Sequence, residues 1–148
     1  MIKTKLIHEG EAFTLAVDLE ASLLFLCFKS QPIGMEFKDA VLMTISVLEL
    51  YKIKHLISDL RRLDYISPEN QEFLIKDYPQ IILETSVEKI ARITNGAHEV
   101  RKPLLAETHN NLSAKPEKSL TIQFFTDPEA AFDWLTCPIV RESETAMV

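Results

Sequence analysis

Glycine is scarce in this chain: Gly10, Gly34 and Gly96 are the only three in 148 residues. No two of them lie close together, so neither the dinucleotide fingerprint nor the phosphate-cradling P-loop can be assembled. The Gly-x-Ser-x-Gly nucleophile elbow is missing as well. Cysteine is scarcer still. Cys27 lies in an apolar run and Cys137 near the C-terminus, a weak disulfide signal that reads as two reduced thiols. The four histidines (His8, His55, His98 and His109) lack short metal-ligand spacing. They read as solvated or locally bonded imidazoles, and no metal or cofactor is expected.

Long apolar runs are also missing. The longest, Ala21–Phe28 and Ala40–Ser46, fall far short of the roughly 20 residues that span a bilayer. Residues 1–8 carry neither the apolar region nor the small-residue cleavage site of a secretory signal. The expectation is therefore a cytoplasmic protein with no membrane span. Nor is there an excess of positive charge. With 16 Lys and Arg against 22 Asp and Glu, the net charge is −6, and such a surface repels polyanions at long range. The basic pairs Arg61-Arg62 and Arg101-Lys102 are isolated, so no nucleic-acid partner is expected.

What is present is an ordinary globular composition, 47% apolar and 26% charged, in a chain long enough to bury a core without staples. Phe13, Leu15, Val17 and Leu19 alternate as a half-buried strand. Ser22–Phe28 follows as a nearly continuous apolar strand, and the two read as an antiparallel hairpin. Glu36 to Lys52 is the clearest helix. His55–Leu60 and Lys89–Thr94 read as inner strands, and Leu120–Phe125 as the last one. Ser67-Pro68-Glu69 marks a helix start whose helix bends or restarts at Pro79. A helix is expected from His98 to about Asn111, despite Pro103, and a short one after Asp127-Pro128.

The order ββαβαβαβα predicts an α/β fold. It comprises a mixed, mostly parallel sheet of about five strands, an N-terminal antiparallel hairpin and about four helices. It reads as one domain over 1–148, with a core at about 12–136 and a loose tail over 137–148.

Candidate chemistry is thin. Cys27, mid-strand between Leu26 and Phe28, reads as a small buried thiol rather than a nucleophile. Asp59 stands out at the carboxyl end of an inner strand, followed by Arg61, Arg62 and Asp64 and by the helix start at Ser67. Ligand sites in open α/β sheets gather there. The plainer reading is that Asp59 bonds loop amides while the arginines are solvated. A second feature is the breadth of the apolar arc on the helix 36–52. Beyond its main stripe it carries Met43, Val47 and Leu50, which either neighbouring helices or a second subunit would cover.

The segment Ile57-Ser58-Asp59-Leu60-Arg61-Arg62-Leu63-Asp64-Tyr65-Ile66-Ser67-Pro68 resembles the strand-loop-helix signature of the STAS domain, the SpoIIAA-like anti-sigma-factor-antagonist fold. The strand Lys89–Ile93 and the ending Phe125–Leu135, with its Asp127 and Ala131-Phe132-Asp133-Trp134-Leu135, are similar to that superfamily's later elements. The resemblance spans roughly residues 12–136. It implies a non-enzymatic regulatory domain that binds a protein partner through the loop carrying Asp59, Arg61, Arg62, Asp64 and Ser67. In the SEC14-like branch it implies instead a carrier or sensor of an apolar small molecule. It also places Pro68 where regulatory members carry a phosphoacceptor serine, so no phosphoserine switch is expected. A homodimer through Met43, Val47 and Leu50 is a further expectation.

Overall fold

A computed structural model of the chain describes residues 4–96, 100, 103–104 and 120–136. Six strands form one sheet whose spatial order repeats the chain order. Strands β1 (Lys5–Glu9), β2 (Phe13–Asp18) and β3 (Leu23–Phe28) pair antiparallel in succession. Strands β4 (His55–Asp59), β5 (Lys89–Ile93) and β6 (Thr121–Phe125) then add parallel, one after another. Four helices have their full extent among the described residues: α1 (Glu36–Tyr51), α2 (Pro68–Lys76), α3 (Tyr78–Ile82) and α4 (Pro128–Thr136). The fold class is the one the sequence implies, with one strand more.

The extra strand is β1. Of its apolar residues only Ile7 packs against the main core, and a bulge between Leu6 and His8 breaks its alternation. An edge strand that buries so little leaves almost no period-two signal. The hairpin stands where expected, closed by a turn in which Asp18 accepts a hydrogen bond from the Ala21 amide and Ser22 takes φ 53°.

Helix α1 ends at Lys52, which adopts a left-handed conformation (φ 53°) and returns its amide to the Leu48 carbonyl. The Ser67 side chain accepts from the Asn70 amide at 3.2 Å, and Pro68 takes the first helical position. The helix stops at Asp77 and restarts as α3 around Pro79, since the ring supplies no donor to continue it. Of the stretch 98–111, only Val100, Pro103 and Leu104 are described. All three are helical, and Val100 and Leu104 are buried in the main core. The remainder of that stretch, the loop 115–118, Cys137 and the tail lie outside the described residues.

The connections β3–α1–β4 and β4–α2–α3–β5 both step the same way across the sheet, and same-handed crossovers place their helices on one face. That face holds the main core: Leu15, Val17, Leu24, Leu26, Phe28, Leu56 and Ile90 from the strands meet Phe37, Val41, Ile45, Leu48, Phe73, Leu74 and Ile82 from the helices. Among the described residues, the opposite face is covered by α4 alone. There Ala131 and Leu135 pack on Leu23, Ile57, Ala91 and Ile93. The helix is fastened by Trp134, whose ring lies 5.6 Å from that of Phe125 and whose carbonyl accepts from Lys89 Nζ at 3.1 Å.

The apolar arc of α1 is resolved inward more than outward. Val47 is only 6% exposed and belongs to the main core, and Met43 is half-buried against it. The expected exposed patch of Met43, Val47 and Leu50 is corrected accordingly: of the three, Leu50 alone stands in solvent, at 72%. Val47 and Met43 both join the main core, so most of the second stripe is covered within the chain.

Candidate binding edge at the carboxyl ends of the strands

The parallel register lines up Cys27, Asp59, Ile93 and Phe125 in one row across β3, β4, β5 and β6. This row marks the carboxyl edge of the sheet, where the chain leaves each strand into a loop, and it is where sites in open α/β sheets are built.

Asp59 ends β4 with its carboxylate half-buried. Arg61 grips it with a bidentate fork: Nε donates to Oδ1 at 3.0 Å and Nη2 to Oδ2 at 2.7 Å. The Arg61 amide also donates to Oδ1, at 3.2 Å. The plainer sequence reading of Asp59 is therefore correct as far as it goes, since it braces its own loop. The arginine is not simply solvated, however: it is aimed, and its hydrogen bond to Asp59 holds the guanidinium firmly in the charged form. Arg62, next along, is exposed, and its side chain has no hydrogen bond or ion pair among the described residues.

The rest of the loop is fixed from two sides. Asn95 Nδ2 donates to the Arg61 carbonyl at 3.0 Å, and the Leu60 amide donates to the Ile93 carbonyl at 2.7 Å. From the other side, Gln31 Oε1 accepts from the amides of Asp64 (2.6 Å) and Tyr65 (3.4 Å), while its Nε2 donates to the Tyr65 carbonyl at 3.1 Å. Leu60, Leu63 and Ile66 are buried beneath. Ser67 closes the loop as the α2 cap, and Gln71 Nε2 donates to the Ile66 carbonyl. Asp59, Arg61, Arg62, Asp64 and Ser67 are thus brought onto one braced loop. Met43, Val47 and Leu50, on α1, are not part of it.

Gln31 joins this loop to the β3–α1 turn, where Gly34 takes φ 56° and the Ile33 amide donates to Glu36 Oε1 at 2.7 Å. Ile33, Met35 and Tyr65 stand 71%, 62% and 52% exposed there. Ile33 and Tyr65 flank a cleft of about 130 Å³ floored by Gln31, Phe37 and Ser67. Sequence reading missed these residues. In the sequence, Gln31-Pro32-Ile33-Gly34 shows only turn-forming composition, although two large apolar residues flanking a turn glycine are themselves a sign of an exposed contact site.

Cys27 lies half-buried between β2 and β4, its thiol 3.9 Å from Asp59 Oδ2. Burial pushes its pKa up, and the Asp59 charge adds to that against Arg61, Arg62 and Lys29. It remains a thiol at neutral pH, and no histidine among the described residues hydrogen-bonds to it. Among those residues, no group of three His, Cys, Asp or Glu side chains converges as a metal site would require, and no helix is long and apolar enough to cross a membrane. To a binding partner the edge offers fixed donors, two cations and exposed apolar side chains.

Comparison with family models, with curated proteins and with solved structures finds no match for this chain. The likeness to STAS domains therefore rests on the motif residues quoted above.

Proposed function

We propose that this chain is a non-enzymatic, STAS-like regulatory domain that docks a protein partner at the carboxyl edge of its sheet. One observation carries the reading: three of the seven exposed large apolar side chains among the described residues, Ile33, Met35 and Tyr65, lie in the two loops that leave β3 and β4 at that edge, the second of which also carries Arg61 and Arg62. Tyr, Met and Arg are the residue types enriched where binding energy concentrates. Because Gln31, Asn95 and Asp59 hold both loops, docking would cost little ordering entropy. Ser67 acts as a helix cap in this reading and not as a switch.

A photo-crosslinking side chain in place of Met35 would identify the partner in cells. Ile33→Asp and the double change Arg61→Glu, Arg62→Glu should each then weaken binding of the purified partner at least tenfold, with the fold intact. Unchanged affinity in both variants would refute docking at this edge. A second reading, a carrier or sensor of an apolar small molecule, has its own support in the groove beside α4.

A further inference from the structure

Helix α4 packs against β4, β5 and β6, and among the described residues part of the same sheet face toward β3 stays uncovered. The result is a groove of about 380 Å³. Phe25, Ile57 and Ile93 floor it, Phe132 and Glu129 wall it on the α4 side, and Cys27 and Asp59 stand at its upper end. Those last two residues also border a second hollow of about 410 Å³, ringed by Lys29, Arg61 and Arg62. An apolar trough therefore opens into a basic mouth. Three cations stand there against one carboxylate, in a chain whose net charge is −6. Asp59 is already engaged by both arms of Arg61, whereas the side chains of Lys29 and Arg62 have no ion pair among the described residues.

We infer that this trough binds a free aliphatic monocarboxylate, its alkyl chain lying along Phe25, Ile57, Ile93 and Phe132 and its carboxylate facing Arg61, Arg62 and Lys29. Resting on the carrier reading and not on protein docking, the inference adds the class of ligand. Glu129 on the α4 wall would suit a cation, but the head group lies at the mouth, where Asp59 is already engaged by Arg61 and where Lys29 and Arg62 repel positive charge. The amides at the start of α4, on the far wall, are taken by Asp127, whose carboxylate accepts from Glu129 and Ala130 at 3.4 and 3.2 Å. The anion's place is thus the arginine side. A groove of this size suits a chain on the order of ten carbons.

Calorimetric titration of the full chain with hexanoate, octanoate, decanoate and decanol tests this. Affinity should rise about fourfold per methylene through the series, the factor that burial of one methylene supplies. Decanoate should bind at least tenfold tighter than decanol, and Arg62→Glu, at an exposed position, should erase that difference while leaving decanol unaffected. Decanol binding as well as decanoate would overturn the carboxylate assignment and leave a carrier of neutral apolar molecules. Failure of both to bind would overturn the carrier reading itself.

Discussion

On one face of the sheet, Leu24, Leu26 and Phe28 of β3 lie buried beneath α1 and its neighbours, whereas on the other face Phe25 and Cys27 of the same strand are only half-buried beside α4. Both sets are apolar and alternate along one six-residue strand. The difference lies in what covers them. A strand destined for the inside of an α/β sheet is apolar on both faces, so the residues do not disclose whether each face is fully roofed. The uncovered side chains then become available for binding at no extra structural cost.

The sharpest way to break this contrast is to remove equal rings from the two faces. Phe28 stacks on Phe37 at 5.8 Å in the main core, and Phe28→Ala should cost about 3–5 kcal/mol in urea denaturation. Phe25→Ala should cost well under half as much, because its site is already open to water. Equal losses would mean that the second face is as closed as the first.

A smaller effect is expected at the helix-covered side. Ser67→Ala should lower stability by about 1 kcal/mol through the lost cap of α2, and Ser67→Asp, which retains an acceptor, should restore most of it.

The α4 side carries the titration signal. Burial depresses the His55 pKa below its usual 6.5, even though its Nδ1 lies 3.4 Å from the Ala21 carbonyl. The unfolded chain then binds the proton more readily than the folded one. Stability from this group is complete above pH 6.5 and is lost as the pH falls through the folded value. Denaturation midpoints should decline from pH 7 to 5.5, less steeply in His55→Gln. An identical slope in that variant would assign the decline elsewhere.

The finest test concerns reactivity and not stability. The Cys27 thiol, held up by burial and by Asp59, should alkylate more slowly at pH 8 than an unperturbed cysteine. Asp59→Asn should accelerate it, as followed on the Cys27 peptide by mass spectrometry, because the substitution removes a repelling charge and frees Arg61. An unchanged rate would mean that burial alone governs the thiol.

Features written in local chemistry were legible in advance. Ser67-Pro68 reads directly as a capped helix start, Pro79 as a restart, and Asp127-Pro128 as a second capped start, and each stands as read. The candidate loop was located for a related reason, since an acid at the end of an apolar strand is conspicuous. Features fixed by distant partners were not legible. Gln31 clamps residues 33 and 34 positions away, and Asn95 reaches 34 positions back to Arg61. An amide side chain gives no sign of where its partner is. Val47 is the converse case: an apolar residue outside the main stripe looks spare until the core around it is known.

The strand order of the sheet, identical to the order of the chain, bears on synthesis. Each strand after the first pairs with the one made just before it, so no strand has to wait for a distant downstream segment, and none must be inserted between two already paired. As the chain leaves the ribosome, β2 can fold back on β1, β3 on β2, and each later strand can be laid on the newest edge once its crossover helix has emerged. Pairings between consecutive segments keep the loops to be closed short, which favours rapid folding. The growing edge is the exposed one throughout, and its protection passes from strand to strand until β6 and α4 complete the sheet.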